Sequence, residues 1–398
     1  MKNRANLICC IMMLVLIFGL LFVSYGYNNT WELWNISPLS PHFADLRVIL
    51  AGSESRAKGY DPMFSNPCDP WNRRLNYPRI WQSLSLVGIN QGHTTYIGIG
   101  LIFAFLIGVC LLWPRISNAK IGFVIAAVIS PAAILCVERA NNDLLMFFLL
   151  AGSVAAIKNR AKMSVALILL GCYLKLYPIF GFVVLLRNNR QNFIKYSLIT
   201  IGLAIVYACI TFSDILMVSE TTPRETFNSY GLNVFWMQVT NNYPGLGIYT
   251  KMLSYFVVLL LMLYACFAMR RNELPSIDND TPYLDSFRVG SAIYLGTFLI
   301  GNNFDYRLIF LIFTIPQLLW WSKSNSRSVA IISITALVSL YISLWYFQIM
   351  RIVDYITNGC FLSFLLDELS HWVVFGCLLY LFMLSMPKWV KLKGAIVD

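Results

Sequence analysis

Long unbroken runs of apolar residues divide this chain. The first run, residues 7–25, is long enough to cross the hydrocarbon core of a bilayer as one helix. Short polar segments separate eleven further runs, at residues 94–113, 120–137, 143–157, 163–174, 176–186, 195–213, 248–269, 287–300, 307–321, 328–347 and 368–386. The pattern predicts an all-α, polytopic transmembrane helical bundle with about 12 spans.

Two of these runs are too short to span a bilayer singly. Residues 163–174 and 176–186 reach only about 18 and 16 Å as α-helices at 1.5 Å per residue. We therefore expect them to form a hairpin or broken pair that bends at residues 175–178. The whole chain, 1–398, then forms a single integral membrane domain with both termini in the cytoplasm.

The composition agrees with lipid as the solvent of this protein. Hydrophobic residues make up 58% of the chain and charged residues only 12%, against about 25% charged in an ordinary globular domain. The net charge of +11 would suit a nucleic-acid partner, but the excess lies in short loops between apolar runs, so we expect none. No small-residue cleavage site follows the first run, which favours an uncleaved signal-anchor.

The distribution of charges sets the expected orientation. With the hairpin and a cytoplasmic amino terminus, 18 of the 30 Lys and Arg residues but only 5 of the 19 acids face the cytoplasm. This asymmetry follows the positive-inside rule. The opposite, outer side then receives two long polar segments, residues 27–93 and 214–247. The first contains a predicted helix from Asp45 to Lys58, whose apolar side would suit the membrane interface.

Candidate chemistry gathers on the predicted outer side. It comprises Asp45, the segment 138–143, Lys175 at the hairpin bend and the segment 301–307. Ionisable groups at membrane depth are costly and usually face a cavity or a partner. Structural roles are the alternative for each group. Asn142 or Asp143 could cap a helix, Asp305 and Arg307 could form a local ion pair, Lys175 could reach the interface, and Asp45 could be an ordinary loop acid.

The order and spacing of four stretches resemble a known family of membrane enzymes. The stretches are Asp45-Leu46-Arg47 with Gly59-Tyr60-Asp61-Pro62 and Asn76-Tyr77-Pro78, then Glu138-Arg139-Ala140-Asn141-Asn142-Asp143, then Lys175-Leu176-Tyr177-Pro178, and last Asp305-Tyr306-Arg307-Leu308. Together they are similar to glycosyltransferases of the GT-C type. In particular they resemble glycosyltransferase family 87, which includes mannosyltransferases that use polyprenyl-phosphate mannose. The resemblance covers roughly residues 5–320.

The resemblance implies a reaction and a set of residue roles. A hexose, first of all mannose, would pass with inversion from a polyprenyl-phosphate donor to a glycolipid or glycan acceptor at the outer face. Asp45 would be the general base, with Asp61 in reserve. The donor phosphate would be bound by Arg139, Lys175 and Arg307. The sugar would be held, or the cations oriented, by Asn142, Asp143, Asp305 and Tyr177. No cofactor is implied, and a divalent metal is left open.

Two other functions remain open at this stage. Many spans and a lysine at membrane depth would also suit a transporter or a flippase for lipid-linked sugars. A glycan ligase or polymerase with a diphosphate-linked donor would share the membrane setting. The expected location is a bacterial cytoplasmic membrane with the site facing outwards, and an endoplasmic reticulum membrane is the alternative.

Overall fold

The computed structural model describes residues 2–113, 116–270, 281–357 and 359–391. Several charges that were assigned to the cytoplasm, including Arg115 and those in 271–280, lie outside the described residues. The carboxyl-terminal residues 392–398 lie outside them too. The predicted cytoplasmic position of both termini therefore stays a prediction.

Helices make up most of the described chain. The α-helices are α1 (Lys2–Glu32), α2 (Ala44–Ala57), α3 (Thr94–Leu112), α4 (Asn118–Val128), α5 (Pro131–Glu138), α6 (Asp143–Ala156), α7 (Ala161–Leu174), α8 (Arg190–Ile210), α9 (Phe212–Thr221), α10 (Val234–Asn242), α11 (Gly247–Arg270), α12 (Leu284–Ile300), α13 (Ile315–Trp321), α14 (Arg327–Leu344), α15 (Tyr346–Thr357), α16 (Phe361–Leu384) and α17 (Lys388–Lys391). Segments of 3₁₀-helix cover Arg79–Val87, Gln91–His93, Tyr177–Arg187, Pro244–Leu246 and Asp305–Thr314. Strands β1 (Ser229–Tyr230) and β2 (Asn303–Phe304) pair antiparallel, with Tyr230 opposite Asn303.

Within the described residues, six helices are long and apolar enough to cross a membrane. They are Arg4–Glu32, Gln91–Leu112, Arg190–Ile210, Pro244–Met269, Arg327–Leu344 and Phe361–Leu384. The bent pair α4 and α5, which meet at 53°, would make a seventh span. A helical integral membrane protein is therefore confirmed. The other apolar runs form shorter helices or 3₁₀ segments, so the count of about 12 spans stays a prediction.

Glycine and proline set the breaks in these helices. Gly26 interrupts α1 with a positive φ of 76°, one residue after the predicted end of the first span, a conformation that glycine adopts without steric cost. Pro131 cannot donate a backbone hydrogen bond to α4, so α5 begins afresh. The Ser130 hydroxyl caps that new helix by accepting from Ala133 N at 3.4 Å.

The predicted hairpin of short segments is present, with its break at Lys175. Helix α7 contacts the 3₁₀ segment Tyr177–Arg187 that follows it. The 3₁₀ geometry was not foreseen, and it changes the length of the second limb. Eleven residues rise about 22 Å at 2.0 Å per residue, while the 14 residues of α7 rise about 21 Å. The two limbs are therefore matched in length.

Aromatic and aliphatic side chains fill the centre of the bundle, while three helices lie at its periphery. Phe147, Phe310 and Phe313 pack together where α6 meets the 3₁₀ segment Asp305–Thr314. By contrast, α1, α8 and α11 leave most of their apolar side chains exposed. Such surfaces suit contact with lipid.

Two polar clusters lie at opposite ends of α12, which is about 25 Å long for its 17 residues. At its start, Asp285 pairs with Arg187 at 3.2 Å and with Arg288 at 3.8 Å. Arg187, Asp285 and Arg288 are among the charged residues that the predicted topology places on the cytoplasmic side. Beyond its other end lies a cluster of residues that were assigned to the outer side. The contacts thus group residues by predicted side, although the side that faces the cytoplasm stays a prediction.

Candidate active site

Asp143 is the centre of the second cluster, at the first residue of α6. Its Oδ1 accepts from Lys175 Nζ at 2.6 Å and from the Tyr177 hydroxyl at 2.6 Å, and its Oδ2 contacts Arg307 Nε at 3.3 Å. The Arg307 guanidinium also lies 4.5 Å from the centre of the Tyr177 ring. Three separate elements, α6, the hairpin bend and the segment after β2, thereby supply one compact group.

The two cations of this group face a cavity, while the carboxylate lies behind them. The side chain of Asp143 is fully buried, whereas those of Lys175 and Arg307 are 14% and 15% exposed. Lys175, Tyr177 and Arg307 line a cavity of about 270 Å³, and Asp143 does not. Within this group one carboxylate serves two cations, so the group itself carries one net positive charge that can attract an anion. Arg79 and Asp214, which also line the cavity, pair with each other. We call this space the cationic cavity.

A second and larger cavity, of about 880 Å³, contains Asp45. Asp45 lies in the first turn of α2. Its backbone N–H donates to the Arg139 carbonyl at 3.2 Å, so the start of α2 is joined directly to the end of α5. Arg73 Nη2 holds the same turn by donating to the Ala44 carbonyl at 2.7 Å. We call this space the Asp45 cavity.

Asn141 connects the two groups. Its Nδ2 donates to Asp45 Oδ2 at 2.6 Å, and its Oδ1 accepts from Lys175 Nζ at 3.2 Å and from Asp143 N at 2.9 Å. The opposite amide orientation would set an oxygen against a carboxylate and an N–H against an ammonium group, so the network fixes this one. Asn141 is fully buried, and Asp45 and Lys175 are therefore held at a set separation.

Two tyrosines separate the cavities. Tyr77 and Tyr306 each line both spaces. Their ring centres lie 5.4 and 5.9 Å from Lys175 Nζ, within the range of a cation–π contact. The wall between the cavities is thus made of side chains, and groups bound on its two sides would lie next to each other.

Several sequence-based roles need correction. Asn142 makes no side-chain cap at the start of α6, because its Oδ1 accepts from Lys175 at 2.8 Å. Asp305 and Arg307 do not pair. The buried carboxylate of Asp305 turns the other way, to 3.9 Å from His371 Nε2, and Arg307 Nη1 instead donates to Asn303 Oδ1. The Lys175 ammonium group is held within the cluster by Asn141, Asn142 and Asp143.

Two further residues lie apart from the cationic cavity. Arg139 lines the Asp45 cavity, with its Nε 3.2 Å from Glu138 Oε2, and so does not join Lys175 and Arg307. Asp61, the reserve base, has its Oδ2 held by Arg79 Nη1 at 2.8 Å. Partial burial works to raise the pKa of Asp61, but the Arg79 guanidinium and the Met63 N–H hold that pKa below its ordinary value.

Arg79 joins the two long segments that were predicted on the outer side. Besides Asp61, it contacts both carboxylate oxygens of Asp214 at about 3.1 Å, and it lines the cationic cavity. Partner residues of this kind were missed by the sequence reasoning. Asn141 lay inside a quoted motif but carries no charge, and only its hydrogen bonds single it out. Asn303 is positioned by the β1–β2 pair. Strands of only two residues have no sequence pattern that could predict this pairing.

Comparison with protein-family models gives no match for the chain, and comparison with curated proteins gives none either.

Proposed function

We propose that the protein is a membrane-embedded glycosyltransferase that takes a hexose from a polyprenyl-phosphate donor and gives it to an acceptor hydroxyl. The single observation that carries this proposal is the side chain of Asn141. It links an acid in one cavity, Asp45, to a cation in the adjoining cavity, Lys175. In a direct displacement the base and the leaving-group site must flank the anomeric carbon at short range on opposite sides, and in this proposal Asp45 and Lys175 take these two positions.

In the proposed reaction Asp45 takes the proton of the acceptor hydroxyl while that oxygen bonds to the anomeric carbon. The bond from the anomeric carbon to the phosphate oxygen breaks on the opposite side, and its electron pair stays on the phosphate. One displacement inverts the anomeric centre. Lys175 and Arg307 offset the charge that develops on the leaving phosphate, a task suited to fixed cations in a site that excludes water.

The surroundings of the cationic cavity also suit a lipid donor. Ile215 and Val218 of α9 and Ile300 of α12 form part of its lining, and Leu216 and Ile300 are exposed on the same two helices. A polyprenyl chain could leave the cavity past α9 and α12 while its phosphate stays beside Lys175. The likeness to glycosyltransferase family 87 makes mannose the first sugar to test.

Transfer of radiolabelled sugar from polyprenyl-phosphate donors tests the proposal, with membranes matched for expression. Asp45→Asn should lower the transfer rate by about 10²–10⁴-fold, since it removes the general base. Glu220→Gln, an exposed acid of α9 outside both cavities, is the matched control and should leave the rate unchanged. Transfer that survives in Asp45→Asn would remove Asp45 from its role, and no transfer by wild type from any such donor would refute the function.

A second candidate function rests on a different cluster. Asp367, Glu368 and His371 are all buried on α16, a membrane-capable helix, and His371 Nε2 lies 3.1 Å from Asp367 Oδ1. Buried acids and histidines within membrane helices serve as proton relays in transporters. If the protein is a transporter or a flippase for lipid-linked sugars, vesicles that contain it should show proton-coupled movement of the substrate across the membrane, and His371→Gln should abolish that movement. The proposed glycosyltransferase should show no such movement.

A further inference from the structure

An apolar groove lies between α1, α3 and the bent pair α4 and α5. Its volume is about 410 Å³, within the range of about 300–1,000 Å³ that ligand sites occupy. The lining is almost entirely apolar and includes Phe18 and Phe22 of α1, Phe103 of α3 and Ile134 of α5. A space of this chemistry admits hydrocarbon and excludes sugars and phosphates.

The protein itself does not fill this groove. Gly19 of α1 lines it, and a Cβ added there would meet no described atom within 4 Å. Helix α1 is mostly exposed and is long and apolar enough to lie in the membrane. The groove is therefore open on a side where the surrounding medium is lipid.

The groove adjoins the Asp45 cavity rather than the cationic cavity. Phe43, which lines the groove, is two residues from Asp45. Trp31 and Ile134 of the groove also belong to one hydrophobic cluster with Ile36 and Leu135 of the Asp45 cavity. Continuous apolar packing thus joins the groove to the space around the proposed base.

We propose that this groove holds the alkyl chain of the acceptor, so that the acceptor is a membrane lipid and not a protein or a free glycan. The inference rests on the proposed function. The donor has its own apolar exit beside α9 and α12, on the cationic cavity. A second apolar site next to the base then belongs to the second substrate, whose hydroxyl reaches Asp45 while its chain lies along α1.

The test fills the groove without disturbing the core. Gly19→Trp places an indole in the open space beside α1. Gly202→Trp makes the same change on α8, where an added Cβ also meets no described atom within 4 Å, and is the matched control. In membranes supplied with a polyprenyl-phosphate donor, the transferred label should be extractable as lipid. Gly19→Trp should lower that transfer at least tenfold and leave the apparent KM for the donor within twofold, while Gly202→Trp should match wild type.

A binding measurement separates the groove from the proposed function. The probe is phosphatidylglycerol with a diazirine at mid-chain, in vesicles of phosphatidylglycerol and phosphatidylethanolamine. Photolabelling should reach the buried groove residues Phe105 and Val128 in wild type and Gly202→Trp, and should be lost in Gly19→Trp.

Three results would overturn the inference. They are label in protein or water-soluble glycan, equal transfer by both tryptophan variants, and a raised donor KM in Gly19→Trp. If no variant transfers sugar, the proposed function fails, and photolabelling alone decides whether the groove binds an alkyl chain. Absence of label at Phe105 and Val128 would then show that it does not.

Discussion

Replacing Lys175 with methionine separates two roles of one ammonium group. In the structure Lys175 Nζ donates to three side chains, Asn141, Asn142 and Asp143, at 3.2, 2.8 and 2.6 Å. In the proposed reaction the same group also faces the donor phosphate. Methionine keeps the length and apolar character of the side chain while removing its charge and its hydrogen bonds.

The expected cost to stability follows from what remains around Asp143. Removal of one partner from a buried ion pair typically costs about 3–5 kcal/mol, because the other charge is left uncompensated. Asp143 keeps the Arg307 contact at 3.3 Å and the Tyr177 hydrogen bond at 2.6 Å. We therefore expect a loss near the lower end, about 3 kcal/mol in the free energy of unfolding.

The expected cost to catalysis is separate. Loss of one group that stabilises developing negative charge lowers turnover by about 10²–10³-fold. The variant Asp143→Asn distinguishes the two effects, since it removes the carboxylate and keeps both cations. It should lose at least as much stability as Lys175→Met, because Lys175 and Arg307 both lose their carboxylate partner. Its transfer rate should fall less than that of Lys175→Met, because both cations can still contact the phosphate.

Both quantities can be measured on purified protein. Unfolding in mixed micelles, followed by tryptophan fluorescence, gives the stability, and transfer from a polyprenyl-phosphate hexose gives the rate. Lys58→Met, which alters an exposed pair with Glu54 in the same predicted outer segment, should change neither. If Asp143→Asn loses as much transfer as Lys175→Met, Lys175 serves only to balance Asp143, and its proposed contact with phosphate is wrong.

Two further predictions concern the supports of the site. Because the pKa of Asp61 is held below its ordinary value by Arg79 and the Met63 N–H, the stability that this contact provides should persist above about pH 4 and be lost as the pH falls through the lowered pKa. Proteolysis of the first long segment should then increase, but not in Asp61→Asn, which lacks the titrating group at any pH. Gly98→Ala would place a Cβ 2.7 Å from the Phe43 ring, which should cost about 1–3 kcal/mol and lower transfer. Gly100→Ala, with open space on the same helix, should change neither unfolding nor transfer.

The hydrophobic pattern was enough to locate the long apolar helices, whereas α9, α10, α15 and α17 were not predicted. The first span ends where Gly26 breaks α1, and the run 94–113 matches α3 within one residue. Such runs can be recognised in a sequence because each places a whole apolar helix in the protein core or against lipid. That placement depends on the composition and length of the run. The same pattern could not count the spans, because length decides what crosses a membrane and 3₁₀ segments rise farther per residue than α-helices.

The sequence by itself determined the helical membrane character of this protein and singled out Asp45, Asp143, Lys175 and Arg307 as the polar groups to examine. Charge at membrane depth is costly enough to be visible without any structure. Only the tertiary structure decided how these groups are divided. It places Arg139 at the Asp45 cavity, directs the Asp305 carboxylate towards His371, and makes the uncharged Asn141 the link between Asp45 and Lys175. Such choices depend on the directions of side chains at contacts between distant segments, and no local pattern of residues encodes those directions.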